Sequence, residues 1–337
     1  MLRHYSDITK AITIVLLFFI KTVFCAVDYA GESAPFMKMG GGAASLGLGG
    51  AVVASCSDVS AALWNPARLT YMPFFELTAM HTRLFSDTYY DYAGFGTRIT
   101  SNLAFSLSYL RLESDNIEKT AVVVDQNGNP VITKIYGQDA VKVDITDYLV
   151  FLNQAVIASA AYRFQSVSIG MNIKYLHMEL EKTAWGLGAD AGIAVDLDHI
   201  TDGLSIGLVC RDFTKTSVHW STGHTDKISP ELQFGISKLF LRRHVQLEAD
   251  AVQLLRSKHI PRLYAGIEGF IVKDHLSIRT GYQDGQISFG AGLGNKYLKA
   301  DYTFVLHKYL DNTHRISISI TLPDAQVFKR RQTTEKE

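Results

Sequence analysis

The chain has 337 residues, 47% of them hydrophobic and 20% charged, with 26 Gly and only 7 Pro. That composition excludes a disordered chain and a collagen-like fibre, and gives length for one large domain or two ordinary ones. Lys+Arg and Asp+Glu balance at 33 each, so no global field draws the protein to nucleic acid or to an anionic membrane surface.

Three cysteines, Cys25, Cys56 and Cys210, are too few for a disulfide framework or a four-ligand zinc site. At the N-terminus Arg3, His4 and Lys10 precede the apolar run Ala11 to Ile20, which Lys21 interrupts. About ten apolar residues are too few to span a bilayer but suit the core of a secretory signal. Residues 1–25 therefore read as a signal peptide cleaved after Cys25. Cys56 and Cys210 remain, either as a pair or as two small buried hydrophobes.

Residues 26–73 do not alternate cleanly. Gly40, Gly41, Gly42, Gly47, Gly49 and Gly50 are dense here, but the glycine spacing fits no dinucleotide loop, no GK[ST] follows, and no strong strand precedes. From Asp58 the spacing of Val59, Ala62 and Leu63 predicts a short helix capped by Ser57 or Asp58, which Pro66 ends, restricting Asn65 before it. Glycine lets backbone pack against backbone, so a plug inside a lumen is the simplest use of this stretch.

Beyond it the pattern has period two. Ile316, Ile318, Ile320 and Leu322 alternate with Ser317, Ser319 and Thr321, while Val245, Leu247, Ala249 and Ala251 oppose Gln246, Glu248 and Asp250. Such runs predict about 14 strands, near 74–85, 89–99, 102–113, 153–164, 166–180, 184–197, 203–213, 229–241, 243–254, 261–272, 274–283, 285–294, 296–309 and 312–322. Most have about ten or more residues, long for a soluble sheet and normal for tilted membrane strands. Connections on one side are all short, whereas the long ones, 114–152 and 214–228, fall on the other, as in an outer-membrane barrel. A soluble sandwich would also alternate, but with shorter strands and more Pro-rich turns. The expected fold is all-β: a transmembrane antiparallel β-barrel of about 14 strands over 74–322, with an N-terminal hatch in the lumen. A charged periplasmic tail follows at 323–337.

The order of short motifs carries a resemblance. Leu48-Gly49-Gly50-Ala51, Ser57-Asp58-Val59-Ser60-Ala61 and Trp64-Asn65-Pro66-Ala67 resemble the N-terminal signature of the PorV/PorQ-like outer-membrane barrels, which belong with the FadL-like long-chain fatty-acid transporters. The likeness continues in Gly170-Met171-Asn172, Ile278-Arg279-Thr280-Gly281-Tyr282, Asp301-Tyr302 and His314-Arg315-Ile316-Ser317. It implies a 14-stranded barrel with a hatch that carries Gly40, Gly47, Gly49, Gly50, Asp58, Trp64, Asn65 and Pro66. It also implies one of two roles: passage of hydrophobic molecules, long-chain fatty acids foremost, or service as a partner in secretion and surface assembly. Arg68 stands where the family often has glycine, and the chain runs on past Leu322, where barrels commonly end on an aromatic residue read by the barrel-assembly machinery.

No G-x-S-x-G or H-E-x-x-H run organises the scattered His, Ser and Asp into an enzyme, and nothing calls for a cofactor or metal. Tyr89, Tyr90, Tyr92, Tyr109, Tyr162, Tyr175, Tyr264, Tyr282 and Tyr302 are expected in aromatic girdles. Alternation points Lys174, Asp190, Asp196, Arg211, Glu248, Asp250, Glu268, Arg279, Lys299 and Asp301 inward, where several should pair across strands. Arg68, Arg211 or Arg279 offers the forked donors that a ligand carboxylate prefers. The expected partners are outer-membrane lipid, a hydrophobic small molecule and the assembly machinery, with secretion or surface proteins under the second role, docked on the 114–152 loop. No nucleic acid is expected.

Overall fold

The alternating runs become strands, and their polar faces are the buried ones. In β18, Thr313–Leu322, residues Arg315, Ser317 and Ser319 are buried while Ile316, Ile318 and Ile320 are 53%, 53% and 48% exposed. A soluble sandwich would reverse this, since apolar surface left in water is costly. The inversion demands an apolar surround outside and a polar filling inside.

The computed structural model describes residues 33–85, 87–136, 138–255, 261–307 and 311–322. The signal reading at 1–25, the beginning of the plug and the tail at 323–337 lie outside these. The strands are β1 (Phe75–Arg83), β2 (Thr88–Arg98), β3 (Leu103–Val122), β4 (Ile132–Ile135), β5 (Gln138–Val141), β6 (Val143–Phe164), β7 (Val167–Leu180), β8 (Lys182–Asp196), β9 (Leu204–Arg211), β10 (Ser217–Trp220), β11 (Thr225–Lys227), β12 (Glu231–Phe240), β13 (Val245–Leu254), β14 (Arg262–Val272), β15 (Leu276–Gln283), β16 (Gln286–Gly294), β17 (Leu298–Leu306) and β18. Fourteen of them close an antiparallel barrel through β1–β18 and β8–β9; β10 and β11 extend from β8, and β4 pairs only with β5. No described helix is long and apolar enough to cross a membrane, so any crossing is by strands, whose backbone groups the closed ladder satisfies.

The two ends differ as expected. The chain enters β1 and leaves β18 at the end with short connections. At the other end Asp284 and Gly285, both at positive φ (49° and 83°), make a two-residue turn, the backbone that an Asp-Gly hairpin favours. The long connections there carry more structure than loops. β3 and β6 run on as a hairpin past the last rungs of their neighbours, which end at Ser114 and Leu152. At its tip Asp125 accepts hydrogen bonds from the Asn127 and Asn129 amides (2.8 and 2.9 Å), beside Gly128 at φ 81°, so Asn127-Gly128 turns the chain.

Closure is uneven around the wall. β8 pairs with β9 only from Ala191↔Cys210 to Asp196↔Ser205, and with β10 from Ala184 to Leu187. Between these stretches Gly188 to Asp190 have no strand partner on that side. There the Ala189 amide donates to Thr214 Oγ1 at 3.2 Å, and Lys174 Nζ reaches Asp190 and Asp212 at 2.7 and 2.9 Å.

One expectation about side chains is corrected, and one left open is decided. Tyr90, Tyr92 and Tyr264 are buried inside the barrel rather than set in a girdle, with the Tyr90 hydroxyl donating to Gly40 O at 2.6 Å. Tyr162, Tyr175 and Tyr302 are exposed on the outer face. Cys56 and Cys210 are both free. Cys210 alternates with Arg211, whose side chain enters the lumen, so the two thiols lie on opposite sides of the wall. Burial also holds the Cys56 thiol far above its ordinary range, away from reactive thiolate.

Candidate functional site

Residues 34–72 lie inside the barrel as two one-turn helices, Ala43–Gly47 and Ala61–Trp64, and two 3₁₀ turns, Pro35–Met39 and Pro66–Tyr71. Elements this short leave most of their backbone donors and acceptors unmet, and the polar wall meets them. Ser317 Oγ accepts from the Ala43 amide at 2.8 Å and Thr303 Oγ1 donates to Ala43 O at 2.6 Å. Asp250 and Glu76 accept from the amides of Val53 and Val59 (3.1 and 3.0 Å), and Asn172 Nδ2 donates to Ala62 O (2.7 Å). Asp58, not Ser57, makes the turn before the second helix, accepting from the Ser60 amide at 2.8 Å. Asn65 accepts from the Ala67 amide and donates to Val53 O and to Ile193 O on the wall. Trp64 Nε1 donates to Gly41 O at 2.9 Å.

Glycine on both partners allows this closeness. A Cβ on Gly281 would fall on the backbone of Leu48 and Gly49, and one on Gly170 on that of Pro66 and Ala67. Gly49 and Gly50 themselves sit at φ 64° and 69°, where other residues are strained. Gly40 lies against the Trp64 ring, and Gly47 against Thr303.

The inward charges pair much as expected. Arg279 joins Glu268 (2.7 Å) to Asp301 (2.6 Å) across the bare backbone of Gly292. Arg211 donates to Glu231, Gln233, Leu63 O and Trp64 O. Arg68 donates to Cys56 O, Ser55 O and Asp196 and stacks over Tyr71 at 3.7 Å. The three arginines expected to hold a headgroup are thus satisfied from within, two of them by tying the N-terminal segment to the wall. Lys174 and Asp190 belong to the ion triad at the seam.

Arg315 differs from these. It is 7% exposed, and its Nε and Nη1 are buried without a hydrogen-bond partner among the described residues, as is Oγ1 of Thr82. Thr82 faces it across the β1–β18 ladder. Tyr90 and His307 stand close enough to feel its charge; burial first, and then Arg315, holds the His307 imidazole below its ordinary range. Tyr90 belongs to a buried apolar cluster with Phe36, Leu110, Ile157, Leu176 and Met178, against which Leu84 and Leu112 pack. At the long-loop end a buried apolar cluster is therefore bordered by a cation with unmet donors. The sequence reading did not count Arg315 among the inward charges, and alternation could not show that its cross-strand neighbours, Thr82 and Thr303, carry no charge.

At the other end, cavities of about 220 and 200 Å³ adjoin between the segment and β13–β18, sharing Ser57, Glu268, Phe270, Arg279, Lys299 and Asp301 in their walls. Among the described residues no three His, Cys, Asp or Glu side chains could hold a metal ion.

The profile of a protein family described only as uncharacterised, UPF0164, matches residues 30–188. No curated protein matches the chain. Among solved structures the chain is similar to the CymD monoaromatic hydrocarbon channel, at 12% identity and a TM-score of 0.58 over 85% of this chain and 98% of that one. It is also similar to the toluene transporter TodX of Pseudomonas putida, at 13% identity and a TM-score of 0.55 over 83% of this chain and 97% of the other. The fold is that of these FadL-type outer-membrane barrels.

Proposed function

We propose that the barrel takes up hydrophobic molecules across the outer membrane, long-chain fatty acids foremost, and that residues 34–72 act as its hatch. The cargo class of the two similar barrels, toluene and monoaromatic hydrocarbons by their names, supports a hydrophobic ligand. The observation that carries the acid headgroup is Arg315, a buried guanidinium without a counter-ion among the described residues, beside an apolar cluster. Leaving such a group unpaired costs several kcal/mol, and a carboxylate with its tail on Tyr90, Leu84 and Leu112 would relieve that cost. The role is passage rather than catalysis, with no cofactor.

The test is binding of a fluorescent long-chain fatty acid to the refolded chain in detergent. Charge-assisted hydrogen bonds contribute about 1.5–3 kcal/mol, so Arg315→Gln should weaken binding roughly ten- to hundredfold. The corresponding fatty alcohol should bind parent and variant alike, and Arg315→Gln should exceed Arg279→Gln in effect. Equal loss for acid and alcohol would remove the headgroup role, and no saturable binding would remove the uptake reading.

One feature favours a second reading, a PorV-like secretion or surface-assembly partner. The β3–β6 hairpin stands clear of the wall and exposes Ile117, Val122, Val143 and Ile145. Proteins retained on it after mild extraction, together with absence of lipid binding, would support that role.

A further inference from the structure

The short-turn end of the lumen carries a charge imbalance that the uptake reading does not use. In the two adjoining cavities Arg279 pairs with both Glu268 and Asp301, and its single charge leaves that trio one short of neutral. Asp58, Glu76 and Glu248 remain, and among the described residues none of the three has a cationic hydrogen-bond partner. Asp58 accepts from Ser60 and Cys56, Glu76 from Thr78 and the Val59 amide, and Glu248 from Gln246. Glu248 is 5% exposed, and its Oε2 is buried with no hydrogen-bond partner in the wall of the cavity. Lys299 is the further cation in the lining. Its side chain is exposed, and Arg68, the other cation near Glu248, is already engaged by Asp196.

We propose that this cavity binds an organic polycation, an amine with two or three ammonium groups. A buried carboxylate oxygen without a donor, as in Glu248, is among the costlier polar defects a fold can hold, and three carboxyl groups around one space attract positive charge where water is restricted. The cation is organic rather than a chelated metal, because no three carboxylates here are close enough to share one ion, whereas ammonium groups spaced along a chain reach each in turn. The cavity of about 200 Å³ accommodates an aliphatic amine of that kind. Asp58 belongs to the N-terminal segment and Glu76 and Glu248 to β1 and β13, so a bound polycation bridges segment and wall.

The probe is spermidine, titrated calorimetrically into the refolded full chain in a neutral detergent at low ionic strength. One saturable site is expected. Glu248→Gln should weaken it about tenfold, and Lys299→Met should tighten it severalfold. Glu181→Gln, in the exposed turn between β7 and β8, should leave it unchanged, and so should Arg315→Gln, which keeps this result separate from the fate of the fatty-acid reading. Where Glu248→Gln fails to fold, Asp58→Asn tests the same charge from the segment side. Unsaturable heats, an unchanged affinity in Glu248→Gln, an equal loss in Glu181→Gln, or magnesium binding tighter than spermidine would each overturn the proposal.

Discussion

Replacing Gly281 by valine should unseat the N-terminal segment. A side chain at this position has no flexible neighbour to push aside, since its Cβ would land on the backbone of Leu48 and Gly49, and that backbone is pinned by Ser288 Oγ donating to Gly47 O at 3.0 Å. Overpacking a well-filled site costs about 1–3 kcal/mol even where side chains can shift, and the collision here is with main chain. The barrel wall keeps its ladder, because strand backbone accepts valine readily; the segment is the part that must move. Two readouts follow: faster trypsin cleavage at Lys38 and Arg68, which lie in the segment, and a higher single-channel conductance in planar bilayers. Gly269→Ala is the control, for the nearest atom to its added Cβ is a side-chain carbon of Ile278 at 3.5 Å, an ordinary contact. Unchanged proteolysis and conductance in Gly281→Val would show that the segment does not depend on this approach.

The barrel was legible in the sequence because period-two alternation survives whether the apolar face looks into a core or into lipid. Expected limits and observed strands mostly differ by two residues or fewer, as at 229–241 against Glu231–Phe240. The continuation of β3 and β6 was not legible. Beyond Ser114 the hairpin leaves the wall, both of its faces are exposed, and no amphipathic pattern marks it. Which tyrosines point inward was hidden for a related reason: Tyr89, Tyr90, Asp91 and Tyr92 give both faces of β2 the same amphipathic chemistry, so parity alone could not assign them.

The pairing of charges depended on register, which turn lengths set and composition does not. Arg279 meets Glu268 because β14 and β15 pair those two residues directly, and it meets Asp301 because Gly292 on the intervening strand has no side chain to obstruct it. Arg315 occupies an equivalent inward position but falls opposite Thr82 and Thr303. A shift of either neighbouring strand by two residues would keep every apolar face outward and yet exchange its partners. The candidate site is thus the part of this fold that alternation constrains least.

The ion triad at the barrel seam should show the largest loss of stability from a single change. Lys174, Asp190 and Asp212 are 2%, 5% and 7% exposed, and Lys174→Met would leave two buried carboxylates without their cation, a change that typically costs about 3–5 kcal/mol. Asn172 Nδ2 and the Asp212 amide both donate to Asp190, which helps to hold its charge but supplies no compensating cation. The site amplifies the effect, because here β8 has left β9 and not yet met β10, so the triad replaces ladder hydrogen bonds in holding the wall closed. The midpoint of urea unfolding, followed by heat-modifiable gel mobility, should fall strongly in Lys174→Met, with faster amide exchange at 186–191 and 209–212 than elsewhere in the barrel. The triple change Lys174→Met, Asp190→Asn, Asp212→Asn removes the stranded charges along with the cation and should recover most of the loss, since a neutral replacement of a buried ion cluster is often close to harmless. A triple variant as weak as the single one would mean that the seam relies on the attraction itself; a single variant as stable as the parent would mean that strand pairing and lumen packing close the wall without it.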